Sequence, residues 1–234
     1  MKRVLLLAFA CVFAPLASAQ SFGFETSEGF TVGNLDGQQS WNGASNATVS
    51  TERARTGAQS VKTVGGSFGG SSWKDFSPTL TSQFFMSVYV NIVSGSSNDR
   101  IFGITAFNGF TTGPNVTVSS SGQVRAGNSS AFSAPVVGNL TSAATDRWIQ
   151  IGLLYTPGTT SATVFADGQQ YNLTLGSALS QITDIGIYSD YISDINSTGT
   201  AYFDDYNVGD AVPEPATLIV LGTAAFAAAR RKRK

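Results

Sequence analysis

"SQFFMSVYVNIV" (residues 82–93) decides the fold of this chain. Its apolar residues recur at every second position, with Phe84, Met86, Val88, Val90 and Ile92 on one side and Phe85, Ser87, Tyr89 and Asn91 on the other. A period of two is the mark of a strand with one buried face, whereas a helix of period 3.6 would scatter those five side chains around its axis. "IFGITAF" (101–107) continues the pattern with Phe102, Ile104 and Ala106. "RWIQIGLLYTPGTTSATVFADGQQYNLTL" (147–175) reads as three strands joined at Pro157-Gly158 and Asp167-Gly168, with Ile149, Ile151, Leu153 and Tyr155 sharing a face. "QITDIGIYSDY" (181–191) and "TAYFDDYNVG" (200–209) add two more, and "SFGFE", "ATVSTE", "QSVKTVG" and "SSWKDF" extend the series towards the N-terminus. Roughly eleven to thirteen strand candidates are too many for one open sheet and predict an all-β, two-sheet antiparallel sandwich.

Composition narrows the chemistry. The chain contains no histidine, which removes the commonest neutral-pH base and every Ser-His or Cys-His nucleophile. Its one cysteine, Cys11, lies near the N-terminus, so residues 20–210 hold no disulfide and depend on their core. Between Gln20 and Val212 there are seven basic residues against fourteen acidic ones, a net of −7. That balance disfavours nucleic acid and other polyanions as direct partners.

Both ends carry targeting patterns. Met1-Lys2-Arg3, an apolar run over 4–16 and Ala17-Ser18-Ala19 before Gln20 have the layout of a cleavable secretory signal helix, with signal peptidase acting after Ala19. At the other end stand Val212, Pro213, Glu214 and Pro215, then fourteen uncharged residues (216–229), then Arg230, Arg231, Lys232, Arg233 and Lys234. As a helix the uncharged segment would be about 21 Å long, short for a hydrocarbon core of roughly 30 Å, and the basic cluster would hold its end on the cytoplasmic side. A short C-terminal transmembrane helix acting as a temporary inner-membrane anchor is expected.

This Pro-Glu-Pro turn, apolar helix and basic tail resemble the PEP-CTERM sorting signal of Gram-negative bacteria. The resemblance implies processing by an exosortase, a membrane-embedded cysteine transpeptidase, followed by release or attachment at the cell surface. Species with this signal typically make extracellular polysaccharide and biofilm matrix. The expected organisation is a signal peptide (1–19), a sandwich domain (20–210) and a sorting signal (211–234).

"FGFETSEGF", "ARTGAQSVKT", "DRWIQIGLLY", "TVFADGQQY" and "AYFDDYNVG", in that order, resemble landmarks of concanavalin A-like or laminin G-like jelly rolls, the architecture of many carbohydrate-binding modules. In calcium-stabilised members, an acidic residue on the first strand and an acidic pair on the last share a metal. The resemblance therefore points to Glu25, Asp204 and Asp205 as calcium ligands; the alternative is that one aspartate faces solvent and the other accepts turn amides. An EF-hand-like spacing at Asp194, Asn196, Thr198, Gly199 and Asp205 is discounted, because Tyr202 onward reads as strand and no flanking helix is present.

Sugar binding would use exposed aromatic faces. Trp41 and Trp73, near Gly/Ser-rich turns, and Tyr188 and Tyr191, flanking an acidic loop, are the candidate stacking residues, while Trp148 reads as core. No catalytic residue is assigned: Glu25, Glu28 and Glu52 are the only glutamates of the body, and no Glu-x-Asp-x-x-Glu strand occurs. Six Asn-x-Ser/Thr sequons, at Asn46, Asn115, Asn128, Asn139, Asn172 and Asn196, are read as a Ser/Thr/Asn-rich, weakly charged surface. The expected function is a non-catalytic, exosortase-sorted surface or extracellular-matrix protein that binds polysaccharide. A structural protein acting through protein contacts is the alternative, ahead of a glycan-active hydrolase or lyase.

Overall fold

The computed structural model describes residues 20–43, 46–65, 70–128 and 133–210. The expected signal helix and C-terminal helix lie outside these residues. Among the described residues sixteen strands run in chain order. The first eight are β1 (Gln20–Phe22), β2 (Gly33–Asn34), β3 (Trp41–Gly43), β4 (Ala47–Ser50), β5 (Ser60–Gly65), β6 (Gly70–Leu80), β7 (Phe84–Ile92) and β8 (Arg100–Asn108). The last eight are β9 (Thr111–Ser119), β10 (Gln123–Gly127), β11 (Val136–Asn139), β12 (Trp148–Tyr155), β13 (Ser161–Ala166), β14 (Gln169–Thr174), β15 (Ile182–Tyr191) and β16 (Gly199–Asp210). A 3-10 turn spans Thr26–Glu28, and among the described residues no helix is long and apolar enough to cross a membrane.

The strands form two antiparallel sheets. One has the order β14-β13-β12-β7-β16-β5-β4-β2, with β1 also paired to β16; the other has the order β11-β10-β9-β8-β15-β6-β3. As the alternation in residues 82–93 predicts, Phe84, Met86, Val88, Val90 and Ile92 are all buried in the core. Phe102, Ile104 and Ala106 of β8 and Ile185 and Ile187 of β15 meet them from the opposite sheet. Among the described residues the apolar cluster runs from Phe24 to Val208.

The predicted turns are present. Asp167 and Gly168 both have positive φ (52° and 78°), the primed two-residue geometry whose twist matches the flanking strands, and Gly158 turns the chain between β12 and β13 (φ 85°). β9 escaped the alternation because it is rich in Thr, Gly and Asn and contains Pro114. Its register against β8 shifts between Thr105 and Phe107, a bulge that tolerates a residue without an amide donor.

A second bulge shapes β16. Asp204 pairs with Tyr89 and Asn207 with Ser87, so one extra residue, Asp205 (φ 51°), enters β16 between them. Phe203 and Tyr206 consequently both face the core although three positions separate them. The bulge also divides the strand's outer pairing: β5 pairs with Gly199 to Phe203, and β1 with Tyr206 to Val208.

Two tryptophans depart from expectation. Trp41 is fully buried, its ring 6.2 Å from Phe22, 5.8 Å from Phe24 and 5.9 Å from Tyr206, so it seals the sandwich and offers no face to a sugar. Trp148 is not core: its neighbour Ile149 points inward, so alternation puts Trp148, half-buried, on the outer face of β12. Trp41→Ala is expected to cost about 3–5 kcal/mol of unfolding free energy in urea titrations, the range for emptying a fully buried aromatic site.

Candidate functional site

Two constellations lie outside the core. The first is a strap, residues 51–59, which joins β4 to β5 across the outer face of the first sheet. Asp204, fully buried, accepts three backbone N–H groups: those of Arg55 (2.7 Å) and Thr56 (3.2 Å) at Oδ2 and that of Asp205 (2.7 Å) at Oδ1. Burial pushes its carboxyl up to about 6, even though these amides pull the other way. Asp205 takes the Arg55 guanidinium (2.5 Å) and the Thr56 hydroxyl (2.7 Å), and Arg55 lies over the Tyr89 ring, 3.5 Å from its centroid. From the opposite end of the chain, Glu25 Oε1 accepts the amides of Ala58 and Gln59, both at 2.9 Å. Gly57 (φ +63°) is required beneath it, because a Cβ there would sit 2.2 Å from Glu25 Oε1.

Glu25, Asp204 and Asp205 therefore gather on one loop, as their positions at the two chain ends predict. Both oxygens of Asp204 and of Asp205 and Glu25 Oε1, however, already accept from amides, a hydroxyl or a guanidinium. Calcium needs six to eight oxygen ligands, and this donor set does not fit it. Among the described residues no group of three His, Cys, Asp or Glu side chains is placed to hold a metal ion. The Asp194 region is likewise a local turn: Asp194 Oδ1 accepts the Asn196 amide (2.9 Å), Asp99 accepts the amides of Ser193 and Asp194, and Gly199 already belongs to β16.

The second constellation is a groove of ≈ 410 Å³ on the outer face of the other sheet, lined by Trp73, Asp75, Phe107, Gly109, Phe110 and Asp184. Registration explains how these residues meet. Asp184 of β15 stands opposite Asp75 of β6 on one side and Phe107 of β8 on the other, while Trp73 stands opposite Gly186. Directly paired residues and those two apart share a face, so Trp73, Asp75, Asp184, Phe107 and Tyr188 all project outward. Gly186 makes room for this: a Cβ there would come within 3.1 Å of the Phe107 ring. Trp73 is 37% exposed and Phe110, on the β8–β9 turn, is fully exposed.

The two carboxyls of the groove belong to directly paired residues of β6 and β15. Burial, and then Asp75 beside it, hold the Asp184 carboxyl above the usual range, while the Thr183 hydroxyl (2.5 Å) draws it down. Of the four aromatic residues expected to meet sugars, Trp73 and Tyr188 share this face. Tyr188 is half-buried and donates its hydroxyl to Asp190 Oδ2 (2.8 Å). Tyr191 falls on the opposite side of β15 by alternation, and Trp41 is in the core. Asp75, Phe107, Phe110 and Asp184 carried no sequence signal, because they come together only through strand register.

Comparison with known proteins bears on the C-terminus and on the fold. Residues 211–234 match the PEP-CTERM protein-sorting motif. The chain carries an exosortase sorting signal. That motif implies exosortase processing and export to the cell surface; Val212, Pro213, Glu214, Pro215 and the basic tail lie within it, outside the described residues. Among solved structures, the cellulose-induced protein Cip1 matches with a TM-score of 0.57 at 15% identity, over 82% of this chain and 97% of its own. A Bacillus licheniformis β-glucanase follows at 0.55 and 12% identity, over 82% and 98%. The carbohydrate binding module CBM66 from Bacillus subtilis gives 0.51 and 12%, over 76% and 99%. A sialidase also matches, but this chain spans only 17% of its length. At these identities the likeness shows the fold, a concanavalin A-like jelly roll, alone. No curated protein matches the chain in sequence.

Removing the Asp204 carboxylate leaves three amides without their acceptor. Asp204→Ala is expected to lower stability by about 3 kcal/mol or more, while EDTA and millimolar calcium leave the melting temperature of the 20–210 body unchanged. The pH profile follows from the directions of the shifts. Asp184 and Asp204 have folded pKa values above the unfolded ones, so stability withheld at neutral pH returns as pH falls, for Asp204 through about 6. Asp99, Asp146 and Asp167 are lowered by their hydrogen bonds and contribute stability that is lost further into acid. Melting curves from pH 7 to pH 3 are expected to show a maximum at about pH 5.

Proposed function

We propose that the body is a non-catalytic glycan-binding module delivered to the cell surface and its polysaccharide matrix, with the groove around Trp73 as its binding site. The observation that carries this reading is the set of aromatic rings, exposed at Trp73 and Phe110 and half-buried at Phe107, beside two carboxyls. Pyranose rings present apolar C–H faces to aromatic rings and hydroxyls to acceptors, so the groove offers both halves of sugar recognition. The chain's resemblance in fold to a carbohydrate-binding module supports the reading, as does the export signal.

Binding without turnover is favoured by composition: the chain lacks the histidine most often used as a neutral-pH general base and has no Glu-x-Asp-x-x-Glu strand. The β-glucanase shares the fold, but fold alone does not carry an activity.

Isothermal titration of the 20–210 body against the host's own extracellular polysaccharide tests the proposal. Saturable binding is expected, weakened about tenfold or more by Trp73→Ala with the melting temperature little changed, and no reducing ends or unsaturated products should accumulate. Absence of binding to the host polymer, or binding indifferent to Trp73→Ala, would overturn it.

A further inference from the structure

We infer that the groove selects glycans bearing free amino groups, with Asp75 and Asp184 receiving the ammonium and the Trp73 and Phe107 rings forming its walls. This rests on the glycan-binding reading and names the class of sugar it takes. Like charges directly opposite each other across a strand pair destabilise a sheet, yet Asp75 and Asp184 occupy such a pair. Among the described residues no basic side chain lines the groove. The nearest in sequence, Lys74, alternates to the other face, where its ammonium meets the Gln39 carbonyl and lies 5.2 Å from the Phe22 ring centroid. The carboxyls therefore face the groove without a cation from the lining residues.

Their position is set by a short relay. The Gly109 amide donates to Thr183 Oγ1 (2.7 Å), and the Thr183 hydroxyl donates to Asp184 Oδ2 (2.5 Å), which ties the β8–β9 turn carrying Phe110 to the acidic pair. A primary ammonium placed here would donate charge-assisted hydrogen bonds to both carboxylates and lie against aromatic faces, two attractions that a hydroxyl at the same position does not supply together. The same pair would repel uronate- or phosphate-bearing polymers, so the arrangement discriminates by charge in both directions. The volume of ≈ 410 Å³ falls within the range of small-ligand sites, about 300–1,000 Å³.

Three hexasaccharides that share a β-1,4 backbone and differ only at carbon 2 separate the inference from the reading beneath it. These are the glucosamine hexamer, the N-acetylglucosamine hexamer and cellohexaose, each titrated into the full chain purified in mild detergent. The glucosamine hexamer is expected to bind about tenfold tighter than cellohexaose at low salt. That margin should shrink as salt is raised and disappear in Asp75→Asn/Asp184→Asn. The double variant removes a repulsive pair, so its melting temperature should be no lower than that of the parent and a loss of preference cannot be a loss of fold. Equal binding of all three sugars would overturn the inference and leave the glycan-binding reading standing. A preference that survives the double variant would also overturn it. Binding of none of the three would remove the inference, and the host-polymer titration would then decide the broader reading.

Discussion

One inserted residue organises the first sheet. Asp205 bulges out of β16, and the strand on either side changes phase so that Phe203 and Tyr206 both enter the core. Without the bulge, strict alternation would send Tyr206 outward and leave the buried Trp41 without one of its three ring neighbours. The same insertion lets β1 take over the edge that β5 leaves, which brings the first and last strands of the body together. It also leaves Asp204 beneath the strap, where the carboxylate replaces water for three amides.

That choice of donors accounts for how a body without disulfides holds an irregular strap against its sheet. Glu25 and Asp204 act as acceptors for a loop whose own backbone cannot pair, which satisfies buried N–H groups that would otherwise cost free energy. The aspartate after it pairs with Arg55, whose guanidinium is also stacked on Tyr89. Amides, a hydroxyl and a guanidinium thus meet the three acidic residues that the two ends of the body bring to the strap.

The opposite sheet is put to different use. Its outer face carries aromatic rings and an acidic pair whose described lining neighbours include no basic side chain, and like charges so paired oppose the sheet. A local conflict of this kind, in a sheet whose inner face follows alternation, sets the groove apart from the rest of the surface.

Much of this was legible from neighbouring residues. The strands of residues 82–93 and 147–191, the Asp167-Gly168 turn and the sorting motif of residues 211–234 were readable because alternation, turn chemistry and runs of hydropathy or charge are local properties. β9 was not, since Thr, Asn and Pro114 mask its period, and Trp148 was misplaced although the alternation of its own neighbours puts it outside. By itself the sequence determined that the body is a two-sheet β-sandwich and that its tail carries an exosortase signal. Only the tertiary structure decided that Trp41 is core and Trp73 is not, that Asp204 meets amides, and that Asp75 faces Asp184. Those facts depend on strand register, and register is set by packing two whole sheets against each other, so no single stretch of the chain contains it.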